Sequence, residues 1–200
     1  GSLYLYNGSN WNPLAVISEA QLAPIGVRMD TLPVNSGFGN DVAIKGDVAV
    51  IGCNTLTNGS NANQGAAFVY HKINGTWIAI QKLAEINGTQ NSFFGNSVAI
   101  DGEYIVIGAY GALAGGINTG AIFIYKKNGM IYDFVTKTTG SDSQAGDHFG
   151  CSVAISGNYI LAGASDHDRG AGNSNFGAAY TFKLSGSTWS FHEKLVDFGN

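Results

Sequence analysis

The chain has 200 residues, enough for one domain with a substantial core. It holds 29 glycines, 3 prolines, 44% hydrophobic and 12% charged residues, about half the usual charged share, a balance that excludes a charge-rich disordered linker. The net charge is −4 with ten scattered Lys and Arg, which excludes a nucleic-acid partner, and no apolar run approaches the roughly 20 residues needed to cross a bilayer.

Gly1 to Ile17 (GSLYLYNGSNWNPLAVI) opens with two short apolar runs around a polar turn, and Trp11 stands just after that turn. From Phe38 to Gly52 (FGNDVAIKGDVAVIG) two further runs flank a turn placed at Lys45-Gly46. Gly65 to Leu83 (GAAFVYHKINGTWIAIQKL) gives another hairpin around Asn74-Gly75, with Trp77 beyond it. Short runs rich in Val, Ile, Tyr and Phe, joined by Gly-containing turns, predict β-hairpins.

The whole unit then recurs. Phe94 to Gly108 (FGNSVAIDGEYIVIG) and Phe149 to Gly163 (FGCSVAISGNYILAG) align with the first hairpin, with turns placed at Asp101-Gly102 and Ser156-Gly157. Gly120 to Lys137 and Gly177 to Leu195 align with the second, with turns at Asn128-Gly129 and Ser185-Gly186 and with Trp189 in the register of Trp77. Four strands, A to D, per repeat of about 55 residues is the size of a propeller blade. The predicted fold is therefore all-β: β-propeller blades of four antiparallel strands, three full repeats plus an N-terminal half-blade. The divisions are 1–37 (strands C and D of a half-blade plus linker), 38–93, 94–148, 149–197, and 198–200 as the start of a further repeat. That order predicts either a piece of a longer chain or a chain that completes its ring with another copy.

The recurring Phe-Gly pairs, Phe38-Gly39, Phe94-Gly95 and Phe149-Gly150, have a structural role in this reading. Glycine permits the positive φ of a sharp entry into the innermost strand, and phenylalanine packs between neighbouring sheets. Trp11, Trp77 and Trp189 are placed likewise as covers of the blade edge, with sugar stacking as the alternative. Cys53 and Cys151 sit at unrelated repeat positions, so two lone thiols are favoured over one bridge.

These features resemble the FG-GAP repeats of the integrin α-subunit head. Phe-Gly opens strand A, and Gly108-Ala109 and Gly163-Ala164 stand where that family has Gly-Ala-Pro, with Tyr110 and Ser165 replacing the proline. The first repeat departs further, with Gly52-Cys53. The resemblance spans residues 38–195 and implies a non-catalytic segment at the cell surface or outside the cell. Its implied partner is another protein or further copies of itself, in binding, adhesion or self-assembly. A carbohydrate-binding propeller, with a glycan as partner, and a propeller scaffold of a larger secreted enzyme are the alternatives.

Several integrin blades hold calcium in aspartate-rich loops. Here Asp166, Asp168 and Asn173 keep part of that pattern, a weak calcium candidate beside the favoured reading of a hydrogen-bonded turn; no other cofactor is expected. The equivalent loops, 54–64 and 110–119, contain no acidic residue. His71, His148, His167 and His192 lack zinc spacing, and Asp147-His148 is expected to be a solvated loop pair. No nucleophile elbow or phosphate-binding loop is present. Asn7, Asn58, Asn74 and Asn87 head glycosylation sequons, and the uncharged polar loops suit an extracellular surface.

Overall fold

The computed structural model describes residues 2–6, 11–16, 32–168 and 175–197, the first two stretches by their backbone alone. Three four-stranded antiparallel sheets follow one another along the chain. Blade 1 comprises β3 (Phe38–Lys45), β4 (Val48–Cys53), β5 (Ala66–Ile73) and β6 (Thr76–Leu83). Blade 2 comprises β7 (Ser97–Asp101), β8 (Tyr104–Ala109), β11 (Ala121–Asn128) and β12 (Ile131–Thr138). A small hairpin, β9 (Leu113–Ala114) with β10 (Ile117–Asn118), interrupts its middle loop. Blade 3 comprises β13 (Phe149–Ser156), β14 (Tyr159–Ala164), β15 (Ala178–Ser185) and β16 (Thr188–Leu195). The architecture is all-β with propeller-like blades that do not close into a ring. Among the described residues no helix is long and apolar enough to cross a membrane.

An N-terminal hairpin of β1 (Ser2–Tyr6) and β2 (Trp11–Val16) precedes the blades. Its register shifts between Leu3 and Tyr4, three pairs before the turn-side end. The outer hairpins of the blades shift at Val69/Tyr70, Ile124/Tyr125 and Thr181/Phe182, each four pairs from the turn. A bulge near the same place bends each outer hairpin and increases its twist.

The turns differ from expectation by one residue in most hairpins. Lys45, Asp101 and Ser156 pair with Val48, Tyr104 and Tyr159, so the central residues are Gly46-Asp47, Gly102-Glu103 and Gly157-Asn158. The three glycines have φ of 57°, 57° and 53° and are followed by residues of negative φ, the type II′ arrangement that places glycine first. The outer turns of blades 2 and 3 likewise centre on Gly129-Met130 and Gly186-Ser187. Only Asn74-Gly75, with both residues left-handed, sits where the sequence pattern put it.

The blades are stitched along their inner strands. Gly39, Gly95 and Gly150 share φ of 86°, 84° and 83°, so each Phe-Gly pair enters its strand by the same bend. The N–H of Phe94 donates to the Gln64 carbonyl, and that of Phe149 to the Thr119 carbonyl, both at 2.9 Å. These bonds make parallel bridges from Phe94 to Gly65 and from Phe149 to Gly120, joining each blade to the next. A Cβ on Gly65 or Gly120 would run into the Phe carbonyl, and one on Gly52 or Gly108 into the carbonyl of Gly95 or Gly150. Side chains continue the seam: Asn40 Nδ2 donates to the Asn96 carbonyl (2.9 Å) and Asn96 Nδ2 to the Cys151 carbonyl (3.0 Å). Asp41 accepts from the Val98 N–H at 2.7 Å, and Ser97 Oγ from the Val153 N–H at 2.8 Å. At the inner turns Asp101 pairs with Lys45 of the preceding blade (3.0 Å) and accepts from Gly157 N–H of the following one (2.7 Å).

The core lies between blades and each layer has two unlike sides. Val48, Val50 and Val69 of blade 1 meet Val98, Ile100, Phe123, Tyr125 and Tyr132 of blade 2. Tyr104, Val106, Ile122 and Ile124 of blade 2 meet Phe149, Ile160, Tyr180, Phe182 and Trp189 of blade 3. At both interfaces the earlier blade contributes mostly aliphatic side chains and the later blade a mixture of aliphatic and large aromatic ones.

Gly108 lies in a strand at ordinary φ, so space alone forbids a side chain there. Gly108→Ala is expected to destabilise the protein by about 3 kcal/mol through overpacking. Gly102→Ala, at a turn with open space around it, costs about 1 kcal/mol from its left-handed backbone alone. Chemical denaturation of both variants checks the difference; equal losses would mean that the close approach of the next blade is not what the glycine serves.

Candidate functional site

The residues singled out by the sequence fall mainly into the core. Phe94 and Phe149 are fully buried, and Phe38 is half-buried against Phe68 with ring centroids 5.8 Å apart. Trp77 and Trp189 are also buried, the latter edge-on to Tyr104 of the preceding blade at 5.3 Å. Neither indole presents a face for a sugar. Trp11 begins β2, opposite Tyr6. Both cysteines are free thiols: Cys53 is buried, its thiol 3.1 Å from the Ser36 carbonyl and pushed up by burial, while Cys151 is half-buried.

In the calcium-like loop, Asp166 accepts from His148 Nδ1 at 2.6 Å and Asp168 from the Asn175 N–H at 2.8 Å. Asn173 lies outside the described residues. Among the described residues no group of three or more His, Cys, Asp or Glu side chains is arranged to hold a metal ion.

The same loop anchors a polar cluster that the other two blades lack. His167 and Asp147 are each about 2% exposed at the side chain, with Nδ1 and carboxylate 2.8 Å apart. Asp147 is thus no solvated loop residue, as its sequence neighbourhood suggested: the loop entering blade 3 folds under its middle loop and carries the carboxylate inside. Lys194 Nζ lies 2.7 Å from His167 Nε2 and 2.7 Å from Asp142. An ammonium group only donates, so Nε2 accepts and Nδ1–H donates to Asp147. Tyr180 donates to Asp142 at 2.8 Å. Burial first, then the Asp142 carboxylate, pushes the Tyr180 phenol up. For Asp142 itself burial acts upward, but hydrogen bonds from Lys194 and Tyr180 prevail and hold its carboxyl below the usual range. The signal for this cluster was present in the repeats: Asp147 stands where blades 1 and 2 have Ser36 and Ser92, His167 where they have Leu56 and Ala112, and Tyr180 where they have Phe68 and Phe123.

A cavity of about 610 Å³ opens between the outer strands of blades 1 and 2. Two polar clamps, both lining it, join these strands. The Gln81 amide exchanges two hydrogen bonds with the Tyr132 backbone, at 2.7 and 2.9 Å. Further along, Lys137 Nζ lies 2.6 Å from Glu85 Oε1 and donates to the Leu113 carbonyl at 2.6 Å. The Glu85 side chain is only 9% exposed, and its Oε2 is buried without a hydrogen-bond partner. Lys137 also lies over the Phe123 ring at 5.2 Å. Tyr125 lines the cavity, its phenol pushed up by burial and then by the Glu85 charge, and meets Phe134 edge-on at 5.7 Å. Phe134 is half exposed. Sequence reading passed over these residues, although Lys82, Lys137 and Lys194 recur at one position near the end of each strand D.

Asp147→Ala removes the acceptor of both His167 Nδ1 and the Gln144 N–H and is expected to cost about 3 kcal/mol. His167→Leu leaves the Asp147 carboxylate buried with only the Gln144 N–H and should cost at least as much by the same denaturation measurement. Because the Asp142 carboxyl is depressed in the fold, its contribution is present above the ordinary carboxylate range and fades as pH falls through its folded value. Urea midpoints followed below about pH 5 should therefore drop less steeply for Asp142→Asn than for the unaltered chain.

Among curated proteins no relative matches the chain. A family model described as FG-GAP repeat matches residues 34–70, 77–125 and 132–182, more than half of the length. Each match takes in the first two strands of one blade and the first part of its third, and the second and third matches begin in the outer strand of the blade before. The chain belongs to the FG-GAP repeat family.

Proposed function

We propose that this chain is a non-catalytic, extracellular recognition segment that assembles head to tail with further copies of itself. The observation that carries this reading is a pair of exposed apolar strand edges, one on blade 1 and one on blade 3. Within the chain, Val98 and Ile100 of blade 2 are buried against Val48 and Val50 of blade 1. The residues equivalent to Val98 and Ile100 in blade 1 are Val42 and Ile44, which are 53% and 55% exposed. Those equivalent to Val48 and Val50 in blade 3 are Tyr159 and Leu161, 45% and 40% exposed. Blade 3 therefore leaves its trailing strands open, and blade 1 leaves open the inner-strand edge of its leading face, behind which Ile51, Phe68 and Tyr70 are buried.

A heterologous contact of this kind generates a closed ring or a filament. A non-catalytic role is supported by the polar cluster of blade 3, where Lys194 occupies the nitrogen of His167 that a general base would need. Extracellular placement is supported by the family and by the scarcity of charge in the loops. Exposed Asn74 offers a sequon, whereas Asn58 uses its amide on the Gly65 carbonyl.

Sedimentation velocity tests the assembly. The unaltered chain should grow beyond 20.9 kDa with rising concentration, while Val42→Glu and Leu161→Glu each remain monomeric. An equal mixture of the two variants should stop at dimers, since each retains one intact half. A chain that stays monomeric up to about 1 mM would sink the proposal.

A further inference from the structure

The cavity between the outer strands of blades 1 and 2 plays no part in head-to-tail assembly, and its chemistry selects a different kind of ligand. Four charged residues line it, Lys82 and Lys137 against Glu85 and Asp133, so its formal charge is zero. A cationic ligand would meet two ammonium groups, and an anionic one two carboxylates. The volume lies within the roughly 300–1,000 Å³ usual for small-molecule sites.

We propose that this cleft binds a neutral, hydroxyl-rich ligand of the monosaccharide or short oligosaccharide class. Three features converge on it. Glu85, through Oε1, fixes the Lys137 ammonium group at the cleft wall. Lys137 uses two of its three N–H donors on Glu85 and Leu113, which leaves the third for a ligand oxygen. Phe134 offers a half-exposed ring on one wall, a surface for the apolar C–H face of a pyranose. Asn87 and Thr89, both lining residues on the loop after β6, add groups that can donate or accept.

Blade 2 is the one whose outer turn is followed by Tyr132 in place of the tryptophan found at Trp77 and Trp189. Tyr132 takes the Gln81 clamp on its backbone, and its smaller ring remains buried on the blade side of the cleft. The clamps hold the outer strands apart while keeping them rigidly linked, which preorganises a ligand cavity.

Saturation-transfer NMR on the whole chain tests this, with galactose, glucose, mannose, fucose and N-acetylglucosamine as neutral probes. Choline and N-acetylneuraminate serve as charged controls. At least one neutral sugar should receive saturation, with its affinity lowered about tenfold in both Phe134→Ala and Glu85→Gln and with unchanged far-UV dichroism. Should Phe134→Ala fail to fold, Asn87→Ala on the exposed loop takes its place and should weaken the same probe. Transfer to none of the neutral sugars overturns the proposal. So does transfer to choline or N-acetylneuraminate alone, or sugar binding that survives all of these substitutions undiminished.

Discussion

Everything in this molecule depends on the approach of one backbone to another at the Phe-Gly joint. The leading strand of each blade lies so close to its predecessor that four positions of the earlier blades, Gly52, Gly65, Gly108 and Gly120, have no room for a Cβ. That closeness puts the phenylalanine N–H within reach of a carbonyl in the blade before. It also brings the asparagine and Asp/Ser side chains that follow it onto the neighbouring inner strand. The joint supplies direction as well as strength. Backbone hydrogen bonds fix where the next blade starts, and the apolar faces behind them are then matched by default.

Because the joint fixes spacing, the interior must adapt to it by exchange of side chains. The aromatic side of each blade repeats with small changes: Phe68, Phe123 and Tyr180 stand at one level and Tyr70, Tyr125 and Phe182 at the next. Blade 3 departs most, admitting a buried His–Asp pair, held by the lysine common to every strand D, where its sisters use aliphatic or hydroxyl groups. Buried polar groups of this sort are tolerable only when every partner is supplied, and here the entering loop, the middle loop and the last strand each supply one. The cluster therefore ties the outer rim of blade 3 to its connections.

The two proposed surfaces draw on different parts of the same repeat. The proposed head-to-tail assembly would use the inner strands, where repetition is strictest. The proposed ligand cleft lies between the outer strands, where repetition is loosest and a Trp-to-Tyr exchange has little effect on stacking. Fold membership says little about ligand in such a design, since sites are grafted onto blades at the positions the joint leaves unconstrained.

The period, the four strands of each blade and the family were all legible from residue order, because a repeat announces itself by spacing and a hairpin by alternation. Turn position was legible only to within one residue, since a Lys-Gly or Asp-Gly pair does not say whether glycine comes first or second; pairing across the strands decided that. The candidate sites lay further out of reach. Asp147 looked like a loop residue until the chain folded over it, and Glu85 gained meaning only when Lys137, 52 residues later, was placed against it. By itself the sequence determined the blades, through local propensity and glycine spacing. Tertiary structure alone decided which faces are covered, which carboxylates are buried and where a cavity remains, because those depend on the distance between neighbouring sheets, and that distance is written in no single strand.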